Sequence, residues 1–140
     1  MQNTKIAGMA GLARVIIMAA GLSGLMAVAF GAFAAHGLQK LGNPLLVEWV
    51  KTGASYQLWH AGALLGLIAI GGRIGTGLTR AVFLSFFLGS LIFAVSLYAL
   101  ALLQWMWLGA VTPIGGVLMI VGWGLLIYGG WRGRNDNGNM

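Results

Sequence analysis

The chain has 140 residues, of which 59% are apolar and only 7% charged, where a soluble domain carries about 25% charged residues. That is too little charge to cover a water-facing surface, so a soluble globular domain is excluded and an integral membrane protein expected. The net charge is +6, but the eight Lys and Arg stand singly at the ends of apolar runs, the pattern of membrane flanks and not of a nucleic-acid stripe.

Residues 1–13 place Ile6, Met9 and Leu12 on one helical face, which suits either a short interfacial lead-in or a frayed end. Span one is predicted over residues 14–35. Its uncharged run, 15–35, exceeds the roughly 7–15 residues of a signal-peptide core, so it is read as a retained span although Ala32-Phe33-Ala34 resembles a cleavage site. His36-Gly37 ends it. Residues 38–55 mix Gln39, Lys40, Glu48, Lys51 and Thr52 with Leu45, Leu46, Trp49 and Val50, the last four on one face. With Asn43 as cap and Pro44 at the first helical position, this predicts a short helix lying on the membrane surface.

Span two is predicted over 56–72, with Arg73 as its anchor. The glycine-rich link 71–80 lacks the GK[ST] ending of a phosphate loop and reads as a turn between helices. Span three covers 81–103 and closes on Gln104, Trp105 and Trp107. Span four covers 113–131 and starts on Pro113. Residues 135–140 have almost nothing to bury and are expected to form a mobile tail. The predicted fold is an all-α membrane protein: one four-transmembrane-helix bundle over 1–134, with a short interfacial helix between spans one and two.

In that topology Lys5, Arg14, Arg73, Arg80, Arg132 and Arg134 share one side, against Lys40 and Lys51 on the other. The excess of basic residues on cytoplasmic loops then puts both termini in the cytoplasm of an inner, or plasma, membrane. Trp49, Trp59, Trp105 and Trp107 form an outer aromatic belt. Lipid tails are as apolar as leucine, so helices associate where small residues let backbones approach. Ser23, Ala27, Gly31 and Ala35 repeat every four residues in span one, as do Gly62 and Gly66 in span two, and Ala81, Ser85 and Gly89 in span three. These seams serve packing within the bundle or docking to another membrane protein. Span four offers Gly115, Gly116, Gly122 and Gly124 with no clean four-residue repeat.

The polar side chains His36, Gln39, Tyr56, Gln57 and His60 fall together at the outer end of the predicted bundle, a candidate ligand site or a structural tie. The histidines are 24 residues apart with no His-x-x-x-His pattern, so no metal or haem is assigned. Absent cysteine removes thiolate ligands and a Cys nucleophile. Glu48 and Asp136 are the only acids, so no hydrolytic triad can be built. None of the Asp, Glu, Lys or Arg residues lies inside a predicted span, which weighs against transport by a single copy. No catalytic residue and no cofactor is expected.

The stretch Gly31-Ala32-Phe33-Ala34-Ala35-His36-Gly37-Leu38, followed by Trp49, Thr52-Gly53, Tyr56-Gln57 and His60-Ala61, resembles the signature of the YgdD-like small inner-membrane proteins. Ala34 stands where that pattern has glycine. The resemblance covers nearly the whole chain and implies a four-helix membrane fold of uncharacterised function, with His36, Tyr56, Gln57 and His60 among the recurrent residues. The expected function is a non-enzymatic accessory or assembly subunit, docking to a larger membrane complex of respiratory or oxidoreductase type or to a second copy. The alternative is a binder of a small molecule, lipid or quinone at the His36/His60 end. No nucleic-acid partner is expected.

Overall fold

The computed structural model describes the backbone of residues 2–136 and the side chains of residues 8–132. Four long helices follow one another: α1 (Gln2–His36), α2 (Pro44–Ile74), α3 (Thr76–Leu103) and α4 (Thr112–Asp136), with short 3-10 turns at Leu38–Leu41 and Met106–Ala110. Among the described residues there is no strand. Each helix packs antiparallel along the next, and among the described residues α1 and α4 make no contact. The two central helices, α2 and α3, therefore carry most of the buried surface, and α1 and α4 flank them.

Three stretches are long and apolar enough to cross a membrane: Gly8–Leu41, Thr76–Leu103 and Met106–Arg132. The second helix is not among them, because Glu48, Lys51, Tyr56, Gln57 and His60 dilute its apolar content. The expected surface helix is not a separate element. Residues 44–55 are the opening turns of α2, continuous with the expected span two. The cap was read correctly: Asn43 Oδ1 accepts from Leu45 N at 3.1 Å and Pro44 opens the helix. The expected apolar face is met in part: Val50 is buried with Val47 and Ala54, Leu46 and Trp49 pack partly against that cluster, and Leu45 is exposed. A surface helix would bury its face in lipid, whereas this one meets α1 and α3.

The 71–80 link contracts to one residue, Gly75, whose φ of 85° lies where a side chain would be strained. Thr79 stitches the two helix ends together, its hydroxyl lying 3.1 Å from Gly71 O and 2.9 Å from Gly75 O. Residues 2–13 belong to α1 and residues 132–136 to α4. The remainder of the expected tail, 137–140, lies outside the described residues.

Two apolar clusters form the core. One, toward the Gly75 end, holds Ile16, Leu64, Leu67, Val82 and Phe86; the other, toward the Asn43 end, holds Ala34, Leu38, Val50, Ala94 and Ala101.

Candidate functional site

Depth in the bundle can be read from contacts across helices. The small residue Gly31 lies against Ala54, with 3.8 Å from its Cβ position to Ala54 Cβ. Continuing antiparallel at 1.5 Å per residue, His36 lies level with about residue 49, roughly 16 Å above His60. His36 and Gln39 are exposed at the Asn43 end of the bundle, while Gln57 and His60 are buried. The expected single cluster is thus two separate groups. The reason is the length of α2: it starts at Pro44, so Gln57 lies about 20 Å down the helix and not at its mouth.

The deeper group forms a polar layer between the two apolar clusters. Tyr98 Oη donates to Gln57 Oε1 at 2.8 Å, joining α3 to α2, and the Tyr98 ring stacks on Phe30 of α1 with centroids 3.9 Å apart. Gln57 Nε2 donates to Met26 Sδ at 3.9 Å, a weak contact that completes the three-helix junction. Ser23 and Ser90 are also buried. Ser90 Oγ and Ser96 Oγ donate back to Phe87 O and Phe93 O, as expected for mid-helix serines, but Ser23 Oγ has no partner.

His60 is 5% exposed and sits among Tyr56, Phe86 and Trp123, its ring meeting Phe86 edge-on at 5.2 Å and Trp123 at 6.1 Å. Its Nδ1 lies 2.8 Å from Tyr56 O. A carbonyl can only accept, so Nδ1 carries the hydrogen and Nε2 presents a lone pair. That Nε2 is buried and has no partner. The site can therefore accept a hydrogen bond from a hydroxyl or amine, but cannot donate one to a carbonyl. Tyr56 itself is partly exposed and leans on Phe93, 4.8 Å away.

The small-residue seams separate in the same way. Ser23 and Ala27 are buried, and Gly31 and Ala35 are half-buried. On α3, Gly89 closes on α4 so tightly that a Cβ there would lie 2.9 Å from Met119 N, and Ser85 meets Gly122; Ala81 is half-buried. Gly62 and Gly66 are different. Both are exposed, and nothing lies within 4 Å of where their Cβ would be.

A further packing seam, not visible at four-residue spacing, lies on α4. Gly115, Gly122 and Gly129 recur every seven residues and receive Phe93, Phe86 and Leu78 of α3 in turn. Seven residues are nearly two helical turns, so all three face one way. The signal is present in the sequence, at an interval of seven residues and not four.

These features define a small helical membrane protein whose polar groups lie mainly inside the bundle. The chain belongs to the family described as protein of unknown function DUF423, whose pattern matches residues 30–116. It is 43% identical over 120 residues to a UPF0382 membrane protein of Staphylococcus saprophyticus, covering 85% of this chain and 98% of that one. It is 40% identical over 121 residues to the UPF0382 inner membrane protein YgdD of Escherichia coli, covering 85% and 91%. A Haemophilus influenzae UPF0382 membrane protein shares 39% identity over 114 residues, covering 81% and 91%. No solved structure matches the chain.

Proposed function

We propose that this protein is a non-enzymatic accessory or assembly subunit that docks to a larger membrane complex through the outward face of α2. The supporting observation is the bare backbone at Gly62 and Gly66. Each exposed glycine inside a helix costs about 1 kcal/mol relative to alanine, and here neither allows a close contact within the chain. A second helix packed on that strip would recover the cost through close backbone approach.

This reading takes α2 as a fourth crossing. Its 31 residues span about 46 Å, beyond the ~30 Å of a hydrocarbon core, and it lies between two apolar helices along its length. The six basic residues at the Gly75 end favour cytoplasmic termini.

The test is the pair Gly62→Leu/Gly66→Leu, purified in mild detergent after crosslinking in the membrane. Both sites open onto free space, so helix content and melting temperature should hold or rise, while the co-purifying partner is lost. A wild-type protein that stays monomeric and partnerless, or a variant that keeps its partner, would sink the proposal.

A second reading, a binding site for a small hydroxyl-bearing or amine ligand, is favoured by the unpaired Nε2 of His60. His60→Ala in the same experiment separates the two: ligand lost with the partner retained favours binding, and the reverse favours docking.

A further inference from the structure

The upper half of α2 bears two grooves that share a wall. One, of about 450 Å³, runs past Glu48, Lys51, Thr52, Ser55, Tyr56 and Trp59. The other, of about 300 Å³, lies between α1 and α2 and is lined by Ala27, Val28, Lys51, Ser55 and Leu58 among others. Lys51 and Ser55 border both. Below them, one groove continues over aromatic rings and the other over aliphatic side chains.

With Arg73 anchored at the opposite interface, α2 leaves a ~30 Å hydrocarbon core about twenty residues higher, near Gly53. Glu48 and Lys51 then lie at headgroup level, Ser55 at the boundary, and Tyr56, Leu58 and Trp59 among the acyl chains. From water inward the groove offers a carboxylate, an ammonium, hydroxyls and then apolar surface. Glu48 and Lys51 are three residues apart, about 4.5 Å along the axis.

We infer that this double groove binds one diacyl phosphatidylethanolamine: its ammonium on Glu48, its phosphate on Lys51 and Thr52, its ester region at Ser55, and one chain in each groove. The order of charges matches a zwitterionic headgroup read from water to core. A carboxylate acceptor suits a primary ammonium, which donates hydrogen bonds, over a quaternary one, which prefers an aromatic cage. An anionic headgroup would meet Glu48 with like charge. The site shares no residue with the Gly62/Gly66 face, and its test reads lipid and not partner.

The full-length protein is reconstituted into vesicles of equal phosphatidylethanolamine, phosphatidylcholine and phosphatidylglycerol, released in mild detergent and weighed by native mass spectrometry. Wild type should retain phosphatidylethanolamine roughly fivefold over phosphatidylcholine. Glu48→Gln should abolish that preference while total lipid is kept, and Lys51→Gln should lower all three lipids. Val28→Trp, at an exposed position lining the second groove, should lower retention of diacyl phosphatidylethanolamine and, in parallel vesicles that also contain lysophosphatidylethanolamine, spare that single-chain form. Equal retention of the three lipids, a preference unchanged in Glu48→Gln, or a lipid-free dimer in place of adducts overturns the inference. Glu48 and Lys51 are exposed, so an unchanged helical dichroism spectrum establishes that those two variants fold.

Discussion

Tyr98 and Gln57 form the one buried hydrogen bond between side chains that joins the two central helices, and its partners were only half visible beforehand. Gln57 is fully buried, so removing the Tyr98 hydroxyl leaves its carbonyl oxygen without a donor. Tyr98→Phe keeps the stack on Phe30 and should destabilise the bundle by about 1 kcal/mol, between the low values of membrane hydrogen bonds and the cost of an orphaned buried acceptor. Adding Gln57→Leu should recover most of that loss, because neither partner is then left unsatisfied. Equal stability of Tyr98→Phe and wild type in a reversible unfolding assay would show that the bond carries nothing. The sequence pointed to Gln57 and His60 through polarity and spacing. It could not show that Gln57 faces Tyr98 while His60 faces Phe86 and Trp123. Two residues three apart on a helix differ in direction by about 60°, and only the neighbouring helices decide which direction meets which side chain.

At the scale of the helix, glycines divide by whether a neighbour occupies the space beside them. A Cβ at Gly122 would fall 2.5 Å from Phe86 Cδ1 and 3.2 Å from Ser85 Cβ, and one at Gly115 would fall 2.6 Å from the Gly89 carbonyl oxygen. Gly116 and Gly124, on the same helix, have nothing within 4 Å. Gly122→Ala and Gly115→Ala should therefore cost about 1–3 kcal/mol by overpacking, with Gly115 the worse because backbone must move. Gly116→Ala and Gly124→Ala should be neutral or stabilising by up to about 1 kcal/mol. Thermal melts of the four variants in one detergent check this, and similar losses at all four would refute the seam. The C-terminal end of α3 and the presence of α4 were legible, because Gln104 and Pro113 stand at clear changes of composition; the start of α3 at Thr76 was not, because it lies inside the glycine-rich stretch that reads as a turn. The unity of α2 was not: Glu48, Lys51 and Thr52 look like a surface segment when burial by α1 and α3 is not yet known.

For the whole molecule, the partner face and the lipid groove both depend on α2 crossing the bilayer. Its hydropathy alone would leave it out, and its packing argues for inclusion: Leu64 and Leu67 share a core with Ile16 and Phe86, so α2 cannot leave the membrane without exposing both flanking helices. The absence of cysteine makes this directly measurable with single substitutions at exposed sites. Gln39→Cys lies in the first connection, Gly77→Cys at the start of α3 and Gly109→Cys in the third connection, and all three positions are exposed. With four crossings and cytoplasmic termini, Gln39→Cys and Gly109→Cys should react with a membrane-impermeant maleimide on intact cells, and Gly77→Cys only after permeabilisation. If α2 lay on the surface, Gln39→Cys and Gly77→Cys would react from the same side and Gly109→Cys from the other. With the N-terminus cytoplasmic, Gln39→Cys reacts on intact cells in both cases, and the two patterns differ at Gly77→Cys and Gly109→Cys, because removing one crossing moves each of these to the opposite side. Arg73, Arg80 and Arg132 would then lie with Lys40 and Lys51 on the face opposite Lys5 and Arg14, and the distribution of basic residues would lose its physical cause.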